Sequence, residues 1–435
     1  MKRFMELLLA VTAVLWLHPA AALTIEKVVS PGGIGAWLVE DHSNPIISAE
    51  LSFAAGGVYD PAGKEGLAGM VASLLDEGAG DLDSQAFQAR LDDLAVTLSF
   101  AADSDNFTAH LKTLTENRDE AFQLLRLALT APRFDPEAVQ RVRAQTLSAL
   151  QQEEQDPQAV LGRAFAALIF PGHPYGRSPT QDSVKAIAPD DLKSWVPAHL
   201  SREKLVIGVA GDITPAELGR LLDRIALDLP AHLDLPDIAE IAAPSHGQTR
   251  ILRRPIPQST VSFGEQGLKR NDPDWYAAYV MNYILGGGGF ASRLMTEVRV
   301  KRGLAYGVHT ALAPRRHAAL LEGDVATRND RLGESLAVIR QEWRHLAEGG
   351  VTAEELRAAK TYLNGAFPLQ MSSTAAIAGL LVLVQRDHLG IDYFDRRAGL
   401  IDRVSAEDIR RVARRLLDPE ALTVMVVGDP QGMAE

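Results

Sequence analysis

The chain contains no cysteine. Disulfide bridges and thiolate metal sites are therefore excluded. Histidines are present but scattered: His18, His42, His110, His173, His199, His232, His246, His309, His317, His345 and His388, with no two of the eleven inside five residues of each other. No pair of imidazoles can stand one helical turn apart, so neither H-x-x-E-H nor H-E-x-x-H occurs. Long apolar runs are lacking too. The two longest, Leu7 to Leu17 and AAIAGLLVLV from Ala375 to Val384, fall short of the ~20 residues a membrane span requires, and the second reads as a core helix. A basic surplus is also missing. Forty-four Lys and Arg face 56 Asp and Glu, a net charge of -12, which argues against nucleic acid as a partner, since phosphate binding needs a basic surface.

What is present describes a folded, exported protein. A hydrophobic content of 46% beside 23% charged residues is that of a globular chain, and 435 residues suffice for two or more domains. Residues 1–22 read as a signal peptide: Lys2 and Arg3, then the short apolar run, then Ala20-Ala21-Ala22 as a cleavage site. The expectation is a periplasmic protein with no membrane span once the leader is removed.

The remainder repeats itself. VIGVAGDITPAE (Val206 to Glu217) resembles VMVVGDPQGMAE (Val424 to Glu435), and its Gly-Asp pair moves from 211–212 to 428–429, an offset of 217. IAPDDLKSWV (Ile187 to Val196) matches VSAEDIRRVA (Val404 to Ala413) at the same offset, as does DPEAVQRVRAQTL (Asp135 to Leu147) against TAEELRAAKTYLN (Thr352 to Asn364). ELSFAAGG (Glu50 to Gly57) pairs with TVSFGEQG (Thr260 to Gly267) at 210. Two homologous α+β domains follow, at 24–230 and 249–435, joined by a Pro- and Ala-rich linker at 231–248. Each should hold a mostly antiparallel sheet packed against helices, because strands and helices do not alternate strictly.

Within EGLAGMVASLLDEGAG (Glu65 to Gly80) the residues Leu67, Met70, Val71, Leu74 and Leu75 follow helical spacing. FPGHPYGRSP begins at Phe170, LGGGGFASRLMTEVRVKRGLAYGV runs from Leu285 to Val308, and LTVMVVGDP closes the chain. Together these stretches resemble the pitrilysin and mitochondrial processing peptidase family of zinc peptidases over nearly the whole mature length. Active members carry the inverted zinc motif on the first long helix: two imidazoles hold the metal and a carboxylate between them serves as general base. On that resemblance the histidine positions are Gly69 and Ser73, the base position is Ala72, and the third ligand falls near Ser148 or Ala149. None has a side chain suited to zinc. No metal is expected in this chain.

The same resemblance implies that Arg299 and Tyr306 are retained as the pair that faces the metal across the substrate, with Tyr306 donating to the developing oxyanion and Arg299 holding a substrate carbonyl. SRLMTEVRVKR reads as a helix, ended by Gly303, and LAYGVHTAL as a strand, which would aim both side chains into one cleft. Gly286, Gly287, Gly288 and Gly289 lack phosphate-loop spacing and resemble the glycine-rich loop of the processing peptidase's non-catalytic subunit. They are either a substrate-handling loop or a turn where backbone passes closely. His173 reads as a loop-structuring residue. The resemblance thus implies a half-clamshell subunit that pairs with a homologous H-x-x-E-H chain. That partner would supply zinc and the base, and peptides or unfolded segments would be cleaved after pairing with a sheet edge of its active half. The other reading is a catalytically dead peptide-binding or scaffolding protein of the same fold.

Overall fold

The computed structural model describes residues 24–433; the expected signal peptide lies outside them. Two sheets carry the architecture. The first joins β1 (Glu26–Val29), β2 (Gly35–Glu40), β3 (Ile46–Phe53), β6 (Thr97–Ala102), β7 (Phe107–Leu114) and β8 (Leu205–Gly211) in the order β1-β2-β8-β3-β7-β6, and a small ribbon of β4 (Gly78–Ala79) and β5 (Leu82–Asp83) stands apart. The second joins β9 (Thr249–Arg253), β10 (Gln258–Gln266), β11 (Ala305–Pro314), β12 (Ala319–Arg328) and β13 (Thr423–Gly428) in the order β11-β12-β10-β13-β9. Every pairing is antiparallel except β2 with β8 and β9 with β13. These two parallel pairs hold equivalent places, so the sequence repeat is a repeat of topology.

Side-chain alternation explains how each sheet is covered. Ile47, Ala49, Leu51 and Phe53 of β3, with Ile207 and Val209 of β8, face one apolar core together with helices of the first half. Val261 and Phe263 of β10, with Val424 and Val426 of β13, face a second core with helices that include Leu332–Gly349 and Ala406–Leu416. The opposite faces are covered crosswise. The helix Pro157–Ile169, from the first half, packs Val160, Leu161, Phe165 and Ile169 against Met425 and Val427 of β13. The helix Thr374–Arg386, from the second half, packs Ile377 and Leu381 against Val39 of β2 and Ala210 of β8. Both helices are apolar nearly all round, the pattern of an element buried between layers. They start 217 residues apart (374 − 157), so the repeat has exchanged equivalent helices. Ser48 and Thr374 hydroxyls meet at 2.8 Å, and Gln385 Nε2 donates to Ile207 O at 2.8 Å, fixing the register of that exchange.

The segment between the halves crosses this seam without forming helix or strand. Ile238, Ile241 and Ala243 pack into the cluster around Phe165, and Ile241 N donates to His317 O at 2.9 Å. Among the described residues no single helix is long and apolar enough to cross a membrane.

Candidate functional site

The segment expected to carry a zinc motif is shorter as a helix than its apolar spacing predicts. It is helical only over Leu67–Ala72, and Ser73 begins a run of turns. Leu74 and Leu75 are fully buried all the same, so their spacing reports the core rather than a continuing helix. Asp60 anchors the start of the helix. Its carboxylate accepts from Gly66 N at 2.8 Å and Ala68 N at 3.0 Å, while burial pushes its pKa up to about 6 against those donors. Gly69 and Ser73 lie on the exposed face, one turn apart, and the Ser73 hydroxyl donates to Gly69 O at 3.1 Å. Ala72 is 3% exposed and packs into the first core. Ser148 and Ala149 are exposed on the neighbouring helix Pro136–Glu153. Glu153 and Glu154 are surface charges bonded to Arg163 at 2.9 Å and Gln181 at 3.0 Å. A helix with i, i+4 positions facing outward is therefore present, but a glycine and a serine occupy them. Zinc does not fit these residues. Among the described residues no three His, Asp or Glu side chains converge as a metal site.

Arg299 and Tyr306 do come together. Met295–Val300 winds as a π-helix, Gly303 turns the chain at φ +60, and Tyr306 follows near the start of β11. Arg299 Nη1 donates to Tyr306 O at 2.7 Å. Its guanidinium lies 4.3 Å from the Tyr306 ring and 4.6 Å from the Phe290 ring, held between two aromatic faces. Instead of the expected cleft, this cluster stands on an open surface: Tyr306 is 84% exposed, Phe290 66% and Val300 65%. Phe290 was not singled out from the sequence. The signal available was its place directly after the four glycines, an aromatic residue at the end of a turn.

The four glycines have a steric reason to be there. A Cβ at Gly286 would collide with Thr310 Oγ1; one at Gly287 would sit 2.7 Å from Asn282 Nδ2, and one at Gly288 2.7 Å from Tyr283 O. The chain passes so close because Asn282 and Thr310 bond across it at 2.8 Å while buried. Gly289 alone is open, at φ +55, a conformation that favours glycine.

Two family models match the chain. One, described as insulinase (peptidase family M16), covers residues 36–182, and the other, described as the peptidase M16 inactive domain, covers residues 186–363. The chain belongs to peptidase family M16. Among curated relatives, the non-peptidase homolog YmxG of Helicobacter pylori is 29% identical over 354 residues, 81% of each chain. An uncharacterized zinc protease of Streptomyces coelicolor is 30% identical over 302 residues, 66% of this chain and 64% of its own. A crystal structure of a peptidase M16 inactive domain from Pseudomonas fluorescens superposes with a TM-score of 0.87 at 24% identity, over 95% of this chain and all of that one, which shows the shared fold.

In this M16 chain the HPYG stretch ties the halves together. His173 is buried, accepts from Tyr175 N through Nδ1 at 3.1 Å and donates from Nε2 to Ala239 O at 2.9 Å, so one neutral tautomer structures the loop, as expected. The Tyr175 hydroxyl donates to Asp105 at 2.6 Å and accepts from His317 N at 3.0 Å. Burial, followed by its bond to the Asp105 carboxylate, raises the Tyr175 pKa. Arg316 N also donates to Asp105, at 3.0 Å. The turns of two equivalent hairpins, β6–β7 and β11–β12, thus meet on one tyrosine. Arg293 and Arg302, near the Arg299 cluster, are engaged elsewhere: Arg293 with Glu355 at 2.7 and 2.9 Å, Arg302 with Glu297 at 2.6 Å.

Proposed function

We propose that this chain is the zinc-less subunit of a two-chain periplasmic metallopeptidase, presenting Arg299 and Tyr306 to a site whose zinc and general base belong to a homologous H-x-x-E-H partner. The observation that carries the reading is the exposed cluster. Phe290, Arg299 and Tyr306 are arranged in order yet face solvent, and Tyr306 makes no hydrogen bond through its hydroxyl among the described residues. An exposed, preordered aromatic–arginine group of this kind is what a contact with another molecule uses. Among the described residues of the first half no group of side chains could hold a metal, which supports a second chain as the source of the zinc.

In that composite site each group has a distinct task. The Tyr306 hydroxyl, free in the isolated chain, donates a hydrogen bond to the carbonyl oxygen of the scissile peptide as it gains negative charge. Arg299 has one nitrogen committed to Tyr306 O and the rest of its fork available for a neighbouring substrate carbonyl. The glycine turn, Gly286 to Gly289, sets Phe290 beside them and forms one wall of the substrate path. The substrate is an extended peptide or an unfolded segment.

A purely binding role is the second reading, favoured by the relative named a non-peptidase homolog. Reconstitution separates the two. The chain is expected to show no peptidase activity alone and to acquire it with an H-x-x-E-H partner; Tyr306→Phe should then lower kcat by roughly 100-fold or more, about 3 kcal/mol, with little change in complex formation. A Tyr306→Phe complex of unchanged turnover would remove the catalytic reading and leave the binding one.

A further inference from the structure

Where the two halves meet, a cavity of about 420 Å³ opens between the β11–β12 turn, the start of β8 and the end of the helix Thr374–Arg386. Five of its lining side chains are cationic: Lys204, Arg270, Arg315, Arg316 and Arg386. Its carboxylates are already engaged. Asp105 accepts from the Tyr175 hydroxyl and the Arg316 amide, and Glu203 pairs with His232 at 2.5 Å. Asp387 lies 3.9 Å from Arg270; burial raises its pKa, and the neighbouring Arg386 and Arg270 charges oppose that rise. The guanidiniums are not matched in the same way. Among the described residues no carboxylate oxygen lies within 4.0 Å of a guanidinium nitrogen of Arg315, Arg316 or Arg386; the Arg316 guanidinium donates only to the neutral Asn106 Oδ1, at 3.2 Å. Arg315 Nε is buried without a hydrogen-bond partner, and its guanidinium rests against the Phe170 and Tyr175 rings at 5.4 and 5.3 Å. The lining carries five cations against three carboxylates, Asp105, Glu203 and Asp387, an excess that attracts a further countercharge, and this occurs in a chain with twelve more acidic than basic residues. A second cavity of about 680 Å³ shares Arg270, Arg316 and Arg386 with the first, so there is room for more than a single small ion.

We propose that this seam cavity is a binding site for a small polyvalent oxyanion, a di- or tricarboxylate or a diphosphate, held by Arg315, Arg316 and Arg386. Guanidinium forks match both carboxylate and phosphate oxygens in pairs, so the recognising chemistry is shared by the two. Arg315 and Arg316 stand on the second half's hairpin, Arg386 ends the helix laid on the first half's sheet, and Lys204 comes from the first half itself. A bound anion therefore fastens the halves to each other. This site goes beyond the subunit role above and does not depend on it.

Isothermal titration calorimetry on the full-length protein tests it, with citrate and inorganic pyrophosphate as probes at constant ionic strength. The expected result is one saturable site for at least one probe, a Tm that rises with that probe's concentration, and at least tenfold weaker binding in Arg386→Gln. Arg126→Gln, which does not line the cavity, should bind like the unaltered protein. Arg315→Gln should weaken binding as well, but Arg315 packs on two rings, so Arg386→Gln, whose side chain makes no hydrogen bond among the described residues, is the deciding variant, with its fold checked by circular dichroism. Whichever probe saturates identifies the ligand as carboxylate or phosphate. Saturation by neither, or binding unchanged in Arg386→Gln, overturns the proposal.

Discussion

At the scale of single residues, what could be read in advance was chemistry that depends on the presence or absence of an atom. Gly69, Ala72 and Ser73 carry no group that binds zinc, and that needs no coordinates. Geometry that depends on a neighbour distant in sequence was not readable. The role of Gly286 is set by Thr310, and the exposure of Tyr306 by the lack of anything folded over it. Gly286→Ala should cost about 1–3 kcal/mol, as inserted core atoms do, by forcing Thr310 off Asn282; denaturant unfolding would show it, and Gly307→Ala, where a Cβ meets nothing within 4 Å, should be much milder. Glu265 is another residue whose behaviour comes only from the fold. It accepts from Trp343 Nε1 at 2.5 Å and from Asp418 N at 3.1 Å, yet burial drives its pKa from 4.5 up to about 8. A raised folded-state pKa means that this group's contribution to stability is fully present below about pH 4.5, falls as pH rises, and is lost once pH passes about 8. Glu265→Gln should therefore flatten the dependence of the urea midpoint on pH between 5 and 8; parallel profiles for the two proteins would refute the assignment.

At the scale of elements, the repeat predicted which segments correspond but not which half each one serves. The offset of 217 relates Pro157–Ile169 to Thr374–Arg386 once the structure gives both helices their bounds; from the sequence only AAIAGLLVLV, within the second, reads as a core helix. That each covers the other half's sheet is a property of chain crossing that periodicity does not encode. Gly208 of β8 registers the contact: a Cβ there would collide with Ala378 O and sit 2.8 Å from Leu381 Cβ. Gly208→Val should loosen the helix Thr374–Arg386 and speed amide exchange in β3 and β8 selectively, whereas Leu381→Ala should cost about 2–5 kcal/mol through the cavity it leaves. The first helix was read as too long because its last two leucines keep the period while the backbone has already turned. What survives of it still offers two outward positions one turn apart, and a Cβ at Gly69 meets nothing within 4 Å. Installing Gly69→His with Ser73→His should give the chain a saturable Zn²⁺ affinity that it otherwise lacks. Failure of that double variant to bind zinc would show that the helix face has lost its geometry as well as its ligands.

For the molecule as a whole, two repeats of one α+β plan are locked by exchanged helices and by Tyr175 between two hairpin turns. One half has Gly69, Ala72 and Ser73 where the family resemblance expects two metal ligands and a base, and the other displays an arginine between two aromatic rings toward solvent. The account stands on that asymmetry, with catalytic power borrowed from a second chain. Its most direct test measures metal content and peptidase activity together, for the purified chain alone and for the chain mixed with an M16 partner that has an intact H-x-x-E-H. The account predicts no stoichiometric zinc and no cleavage alone, and chelator-sensitive cleavage of an unfolded peptide by the mixture beyond that of the partner by itself. One zinc ion per isolated chain, with proteolysis that a chelator abolishes, would contradict it.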